Sequence, residues 1–165
     1  MAAGSEAAFT HLKPSGEAHM VDVGQKPTTH RFAVARARIS LDPKVLVEID
    51  RSELPKGDVW AAARFGAISA AKKTSDLIPL CHPIALTGID VRFASNASTG
   101  EVEVIVRVDA VDRTGVEMEA MTAASTAALV IYDMCKSRDR WMRVTEVALL
   151  EKGGGKSGHV ERPDP

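Results

Sequence analysis

An α+β fold, an antiparallel sheet with two main helices on one face, is predicted by three observations. Ile89, Val91 and Phe93 alternate with Asp90 and Arg92, and Val102, Val104, Val106 and Val108 alternate with Glu103, Arg107 and Asp109. A polar turn from Ser95 to Gly100 separates these runs, so they read as an antiparallel pair with one buried face. Two Ala-rich segments, beginning at Asp58 and at Gly115, are long enough for helices and carry side chains small enough for close approach.

The remaining elements follow in chain order. Residues 1–15 mix Ala, Gly, Ser and Glu without periodicity and are expected to form a flexible lead-in. A single domain is expected over 16–151, followed by a Gly-rich polar tail over 152–165. From His30 to Ser40, Phe32, Val34 and Ile39 suit a strand, although Arg36 and Arg38 share the face of Phe32. Asp42 and Pro43 then offer a cap and a first-turn proline for a short helix ending before Pro55. Asp58 caps the first long helix, which closes at Lys72 and Lys73 near its negative dipole end. The second long helix runs from Gly115 to about Ser137, and Val144 to Leu150 returns as a strand. Strand, helix, strand, strand, helix, strand is the split order of the ferredoxin-like fold. That topology hosts enzymes, metal carriers, RNA binders and regulatory domains alike, so function must come from the site.

Composition narrows the field. At 165 residues, 45% hydrophobic, the chain has enough apolar material for one core. A net charge of -1 gives no global pull towards nucleic acid or an anionic membrane, so any anionic ligand must be held by a local cluster of Lys and Arg. Two cysteines, Cys81 and Cys135, are too few for a disulfide framework, and no segment approaches a membrane span or a signal peptide. A cytoplasmic setting is the expectation.

Three stretches carry chemistry. Between the first long helix and the next strand, Leu77, Ile78, Pro79, Leu80, Cys81, His82 and Pro83 place a thiol and an imidazole between two prolines, which predicts a stiff, extended crossover. Adjacent residues on such a segment point in opposite directions and no spaced second pair exists, so no metal is expected there. On the second long helix, Glu119, Thr122, Thr126, Asp133 and Lys136 are separated by three, four, seven and three positions and fall in one stripe, together with Met118 and Leu129. Because the flanking faces are apolar, this stripe is expected to line a cleft or a subunit interface. Glu117 lies almost opposite it and is expected to serve the helix N-terminus. Finally, Gly155, Lys156 and Ser157 imitate the end of a phosphate-binding loop, but Leu150 stands where the leading glycine belongs and no helix follows.

Taken together, Gly16 to Val23, Lys56 to Val59, Ser75 to Pro83, Thr114 to Thr122, Ile131 to Lys136 and Gly154 to Gly158 resemble, in order and with compatible spacing, the MoaC family of cyclic pyranopterin monophosphate synthases. The resemblance implies a ferredoxin-like enzyme of molybdenum cofactor biosynthesis. It would convert a cyclic 7,8-dihydroguanosine triphosphate to cyclic pyranopterin monophosphate with loss of pyrophosphate, as a lyase. It implies a homohexamer, a trimer of dimers with active sites at subunit interfaces, and no nucleic-acid or membrane partner. It implies Asp133 as the catalytic carboxylate with Lys56 and Lys136 as basic partners, and Leu80, Cys81, His82, Met118 and Glu119 as the substrate wall. Lys152 and Lys156 would reach the phosphates from the tail. No cofactor and no metal are called for. The competing reading is a non-catalytic oligomer of the same fold that binds a nucleotide or pterin without turning it over.

Overall fold

The computed structural model describes residues 13 and 15–163; most of the expected lead-in lies outside the described residues. The elements are β1 (Thr29–Ser40), α1 (Pro43–Asp50), α2 (Val59–Ala71), α3 (Thr74–Leu77), β2 (Leu86–Asn96), β3 (Glu101–Asp112), α4 (Glu117–Cys135), β4 (Arg143–Gly153) and β5 (Val160–Glu161). One antiparallel sheet runs in the order β2-β3-β1-β4-β5. Its first four strands have the ferredoxin-like order, with α2 and α4 packed together on one face.

The alternation in β1 and β3 decides which face that is. Ala33, Ala35, Ala37 and Ile39 on β1, and Val102, Val104, Val106, Val108 and Ala110 on β3, are fully buried beneath the helices. The other face explains Arg36 and Arg38: Arg36 Nη2 donates to both oxygens of Glu146 at 3.0 Å, and Arg38 Nη2 lies 2.6 Å from Glu103. Their register on β1 keeps these cations out of the core.

Small side chains bring α2 and α4 close. A Cβ on Gly66 would stand 2.8 Å from Val130 Cγ2, so the helices approach where that side chain is missing. Asp58 caps α2 by accepting from the Ala61 N–H at 3.0 Å, and Asp42 caps α1 by accepting from Lys44 at 2.8 Å. Helix α1 stops at Asp50, short of Pro55, because the chain turns left-handed at Ser52 (φ 56°).

Two features depart from the expected pattern. Strand β4 runs past Leu150 to Gly153, and β5 adds a further edge strand. At Leu150 the register against β1 slips, since Glu151 pairs Val34 while Leu149 pairs Ala35. This bulge reverses the alternation beyond it, turning Glu151 to the outer face and Lys152 to the helix face. In the crossover, Pro79 and Leu80 form a turn closed by the Cys81 N–H donating to the Ile78 carbonyl at 3.0 Å. The extended part therefore begins at Cys81, not before it; a proline in the turn presets its geometry.

Candidate functional site

Helix α4 organises two clusters, one at each end. At its N-terminal end, Glu117 and Glu119 lie in the first turn, and no side chain caps the helix. The turn at Pro79 delivers Leu80, Cys81 and His82 against this end. These residues, with Ile84, Met118 and Glu119, line a cavity of about 290 Å³. All five residues expected to form the substrate wall are thus neighbours. Glu119 is only 4% exposed. Burial, reinforced by the nearby Glu117 carboxylate and opposed by a backbone N–H, pushes its pKa up to about 7. Burial also pushes the Cys81 thiol up, and Glu119 adds to the effect. A thiol held protonated in this way is a poor nucleophile.

A larger cavity, about 570 Å³, opens beside the first and shares Thr114, Gly115 and Glu117 with it. Its lining includes Lys26, Arg31, Arg113, Lys152 and Lys156, the local cluster of cations that the near-neutral chain requires if it is to hold an anion. Thr29 Oγ1 and Arg31 Nε, on residues of this lining, are buried and find no hydrogen-bond partner among the described residues. Orphaned polar atoms of this kind are costly unless a ligand or water completes them. Gly154, at φ 98°, allows the tail to cross close over the His30 carbonyl and so bring Lys156 to the cavity.

Lys152 and Lys156 are therefore built into this wall, Lys152 by the bulge in β4. Lys26 and Arg113 lie outside the helices and strands, and Arg31 lies on the helix-side face of β1, so no shared period joins the three in the sequence. For Lys26 and Arg113 the one available signal was positive charge close to a matched segment; Arg31 had none. Glu117 also differs from expectation. Although it stands nearly opposite Glu119 on the helix, it accepts from Lys152 Nζ at 2.9 Å and lines both cavities. In the first turn, a side chain from a neighbouring strand can reach either flank.

At the C-terminal end of α4, Asp133 sits between two lysines. Lys136 Nζ lies 2.7 Å from Asp133 Oδ1, one turn away, and Lys56 Nζ lies 3.6 Å from Oδ2 while donating to the Asp133 carbonyl at 2.6 Å. Gly57 (φ 90°) and the Asp58 cap turn the chain so that Lys56 meets this helix end, where the carbonyls favour cations. The Lys136 ammonium, then Lys56, holds the Asp133 carboxyl below the usual carboxylate range, and Asp133 in turn raises Lys136. The three expected catalytic residues meet here in an exposed cluster.

The two clusters do not meet within one chain. Glu119 and Asp133 are fourteen residues apart on one helix, or about 21 Å at 1.5 Å per residue. Between them Thr122 and Thr126 are half-buried, whereas Leu129 is 60% exposed and Phe65, on neighbouring α2, is 72% exposed. Cys135 is fully buried, with its pKa raised to about 11 by desolvation, as a packing residue. Among the described residues no helix is long and apolar enough to cross a membrane.

Comparison with known proteins agrees with the motifs. The sequence model of the MoaC family matches residues 20–155. A cyclic pyranopterin monophosphate synthase of Thermomicrobium roseum is 51% identical over 158 residues, covering 96% of this chain and 95% of that protein. Proteins of the same name from Pelotomaculum thermopropionicum and Heliobacterium modesticaldum are 53% and 50% identical, covering 93% and 94% of this chain and 91% and 98% of their own lengths. Matches of this extent, together with the order of the motifs along the fold, make the chain a member of the MoaC family.

Proposed function

We propose that this protein is a cyclic pyranopterin monophosphate synthase of molybdenum cofactor biosynthesis. Its substrate is the cyclic 7,8-dihydroguanosine triphosphate, which it rearranges to cyclic pyranopterin monophosphate with release of pyrophosphate. The observation that carries this reading is the clustering of the matched motifs into complementary chemistries: Asp133 between Lys56 and Lys136, and Glu119 beside the Leu80 to His82 wall and a cation-lined cavity.

The reaction asks for these groups. Opening a purine imidazole ring and reclosing it as a pterin requires proton transfers in both directions, which the ionised Asp133, the two lysines and a Glu119 titrating near neutrality can supply. Closing the cyclic phosphate expels pyrophosphate, whose growing charge the cations at Lys152, Lys156, Lys26, Arg31 and Arg113 would stabilise. His82 and Met118 orient the heterocycle against the turn at Pro79.

A reacting ring cannot touch both ends of one α4, so the working site joins the N-terminal end of one chain to the C-terminal end of another. The exposed Phe65 and Leu129 on the outer faces of α2 and α4 supply apolar surface for such a contact. We assign the assembly as a homohexamer, a trimer of dimers, in the cytoplasm.

The reaction is tested by incubating the protein with the cyclic triphosphate and following pyrophosphate release and, after oxidation, pterin fluorescence. Both are expected; tight binding without pyrophosphate would favour the non-catalytic reading. The shared site is tested by mixing Glu119→Gln chains with Asp133→Asn chains. Each alone is expected to be nearly inactive, and subunit exchange is expected to restore turnover through sites that draw an intact half from each. Exchange verified by mass spectrometry without recovery would defeat the interface assignment.

A further inference from the structure

The outer edge of the sheet gathers ligating side chains that the reaction does not use. Glu161 on β5 pairs directly with Glu151 on β4. Like charges facing each other across two strands repel, so this pairing needs a positive partner. His159 supplies the only other ligating atom of the group: its Nε2 lies 2.7 Å from Glu151 Oε1 and 3.6 Å from Glu161 Oε1. One ligand atom from each of the three residues falls within 4.8 Å of the others. Small rotamer adjustments would bring all three to the roughly 2.0–2.2 Å that an imidazole nitrogen and carboxylate oxygens take around one zinc ion.

We propose that Glu151, His159 and Glu161 form a binding site for a divalent transition-metal ion of the zinc class, through one nitrogen and two carboxylate oxygens. The donor set selects the ion's class. Imidazole suits zinc and its neighbours, whereas magnesium prefers six oxygens and calcium six to eight. Two anionic carboxylates balance the double charge, and the exposure of His159 and Glu161 leaves room for water to complete the coordination. The Phe32 ring packs against the imidazole at 5.9 Å between centroids. Arg36 is engaged by Glu146, whereas Arg162 lines the adjoining cavity together with Glu151 and Glu161, and Arg107 acts on Glu151 through its charge, so an ion at this site shares the two carboxylates with those cations.

The location gives the site a consequence. Glu151 immediately precedes, and His159 immediately follows, the segment 152–158, made of the end of β4 and the turn after it, which carries Lys152 and Lys156. An ion held by both residues closes that loop and pins β5, a strand of only two residues, onto β4. The metal is thus structural and lies on the sheet face opposite Lys152.

The experiment uses the full chain, stripped with a chelator and titrated with zinc ions alone against a chromophoric competitor, with hydrogen exchange at residues 159–163 as an independent readout. One zinc per chain is expected, with slowed exchange at the C-terminal edge and no binding of magnesium at equal concentration. His159→Ala and Glu161→Gln, both exposed and expected to fold normally, should each weaken binding about tenfold or more and abolish the protection. Absence of stoichiometric binding would overturn the proposal. So would wild-type affinity in His159→Ala with loss in Cys81→Ser, which would locate the ion at the thiol and imidazole of the crossover.

Discussion

The two ends of α4 treat a carboxylate in opposite ways. Glu119, at the N-terminal end, is buried beside Cys81 and Glu117 and has its pKa raised to about 7. Asp133, at the C-terminal end, is exposed between two ammonium groups and has its pKa lowered. A helix dipole alone would do the reverse, easing ionisation at the N-terminus and opposing it at the C-terminus. Desolvation outweighs the dipole at one end, and the nearness of two ammonium groups outweighs it at the other. One helix therefore presents a carboxyl that can carry a proton at neutral pH and another that stays ionised.

The largest effects should come from the ionised end. Lys136→Ala, Lys56→Ala and Asp133→Asn are each expected to lower kcat by about 10²–10⁴-fold, the usual range for a group that transfers a proton. Their stability should change little, since the ion pairs are exposed and screened by solvent. Thermal melts beside turnover assays check both halves. Near wild-type turnover in either lysine variant would remove that residue from the chemistry.

Glu119→Gln sharpens the contrast through pH. The folded pKa of Glu119 lies above its unfolded value, so its contribution to stability is fully present below about pH 4.5 and is lost as pH rises through about 7. Glutamine is always neutral, so the variant should match the wild type near pH 4.5 and become the more stable above pH 7. The rise from 4.5 to about 7 bounds the gain at about 3 kcal/mol, a difference of several degrees in Tm at pH 8.5. Equal melting temperatures across that range would mean that Glu119 is not desolvated in the assembled protein.

How much of this was legible depended on whether a residue shared a period with its neighbours. The valines of β3 and the polar stripe of α4 repeat regularly, so the sheet's polarity and the Asp133 to Lys136 pair could be read along one element. Lys56 and the Leu80 to His82 wall came instead from matched motifs, because their partners lie far away in sequence. The two-residue β5 carries too little pattern to detect, and the bulge at Leu150 breaks the alternation just where Lys152 is aimed. Arg31 illustrates the remainder: its place in the cation-lined cavity results from β1, β4 and the Gly154 turn coming together, which no local window contains.

The smallest predicted effect also couples the two cavities. Lys152 pairs with Glu117, and the Glu117 charge is one of the causes that raise Glu119. If Lys152 faces the phosphates as proposed, Lys152→Met removes one of their cations, so KM should rise about tenfold while kcat changes little. The ion pair is about one-third exposed on both sides, so its loss should cost no more than about 1 kcal/mol of stability. Glu117 is then left without its cation, and its field acts more strongly on Glu119. The limb of the pH–rate profile near 7 should accordingly move to higher pH in the variant, whereas Lys152→Arg should keep it in place. A rise in KM without that displacement would restrict Lys152 to the phosphates. Displacement with KM unchanged would instead make it a positioning residue, acting on the buried carboxyl through Glu117.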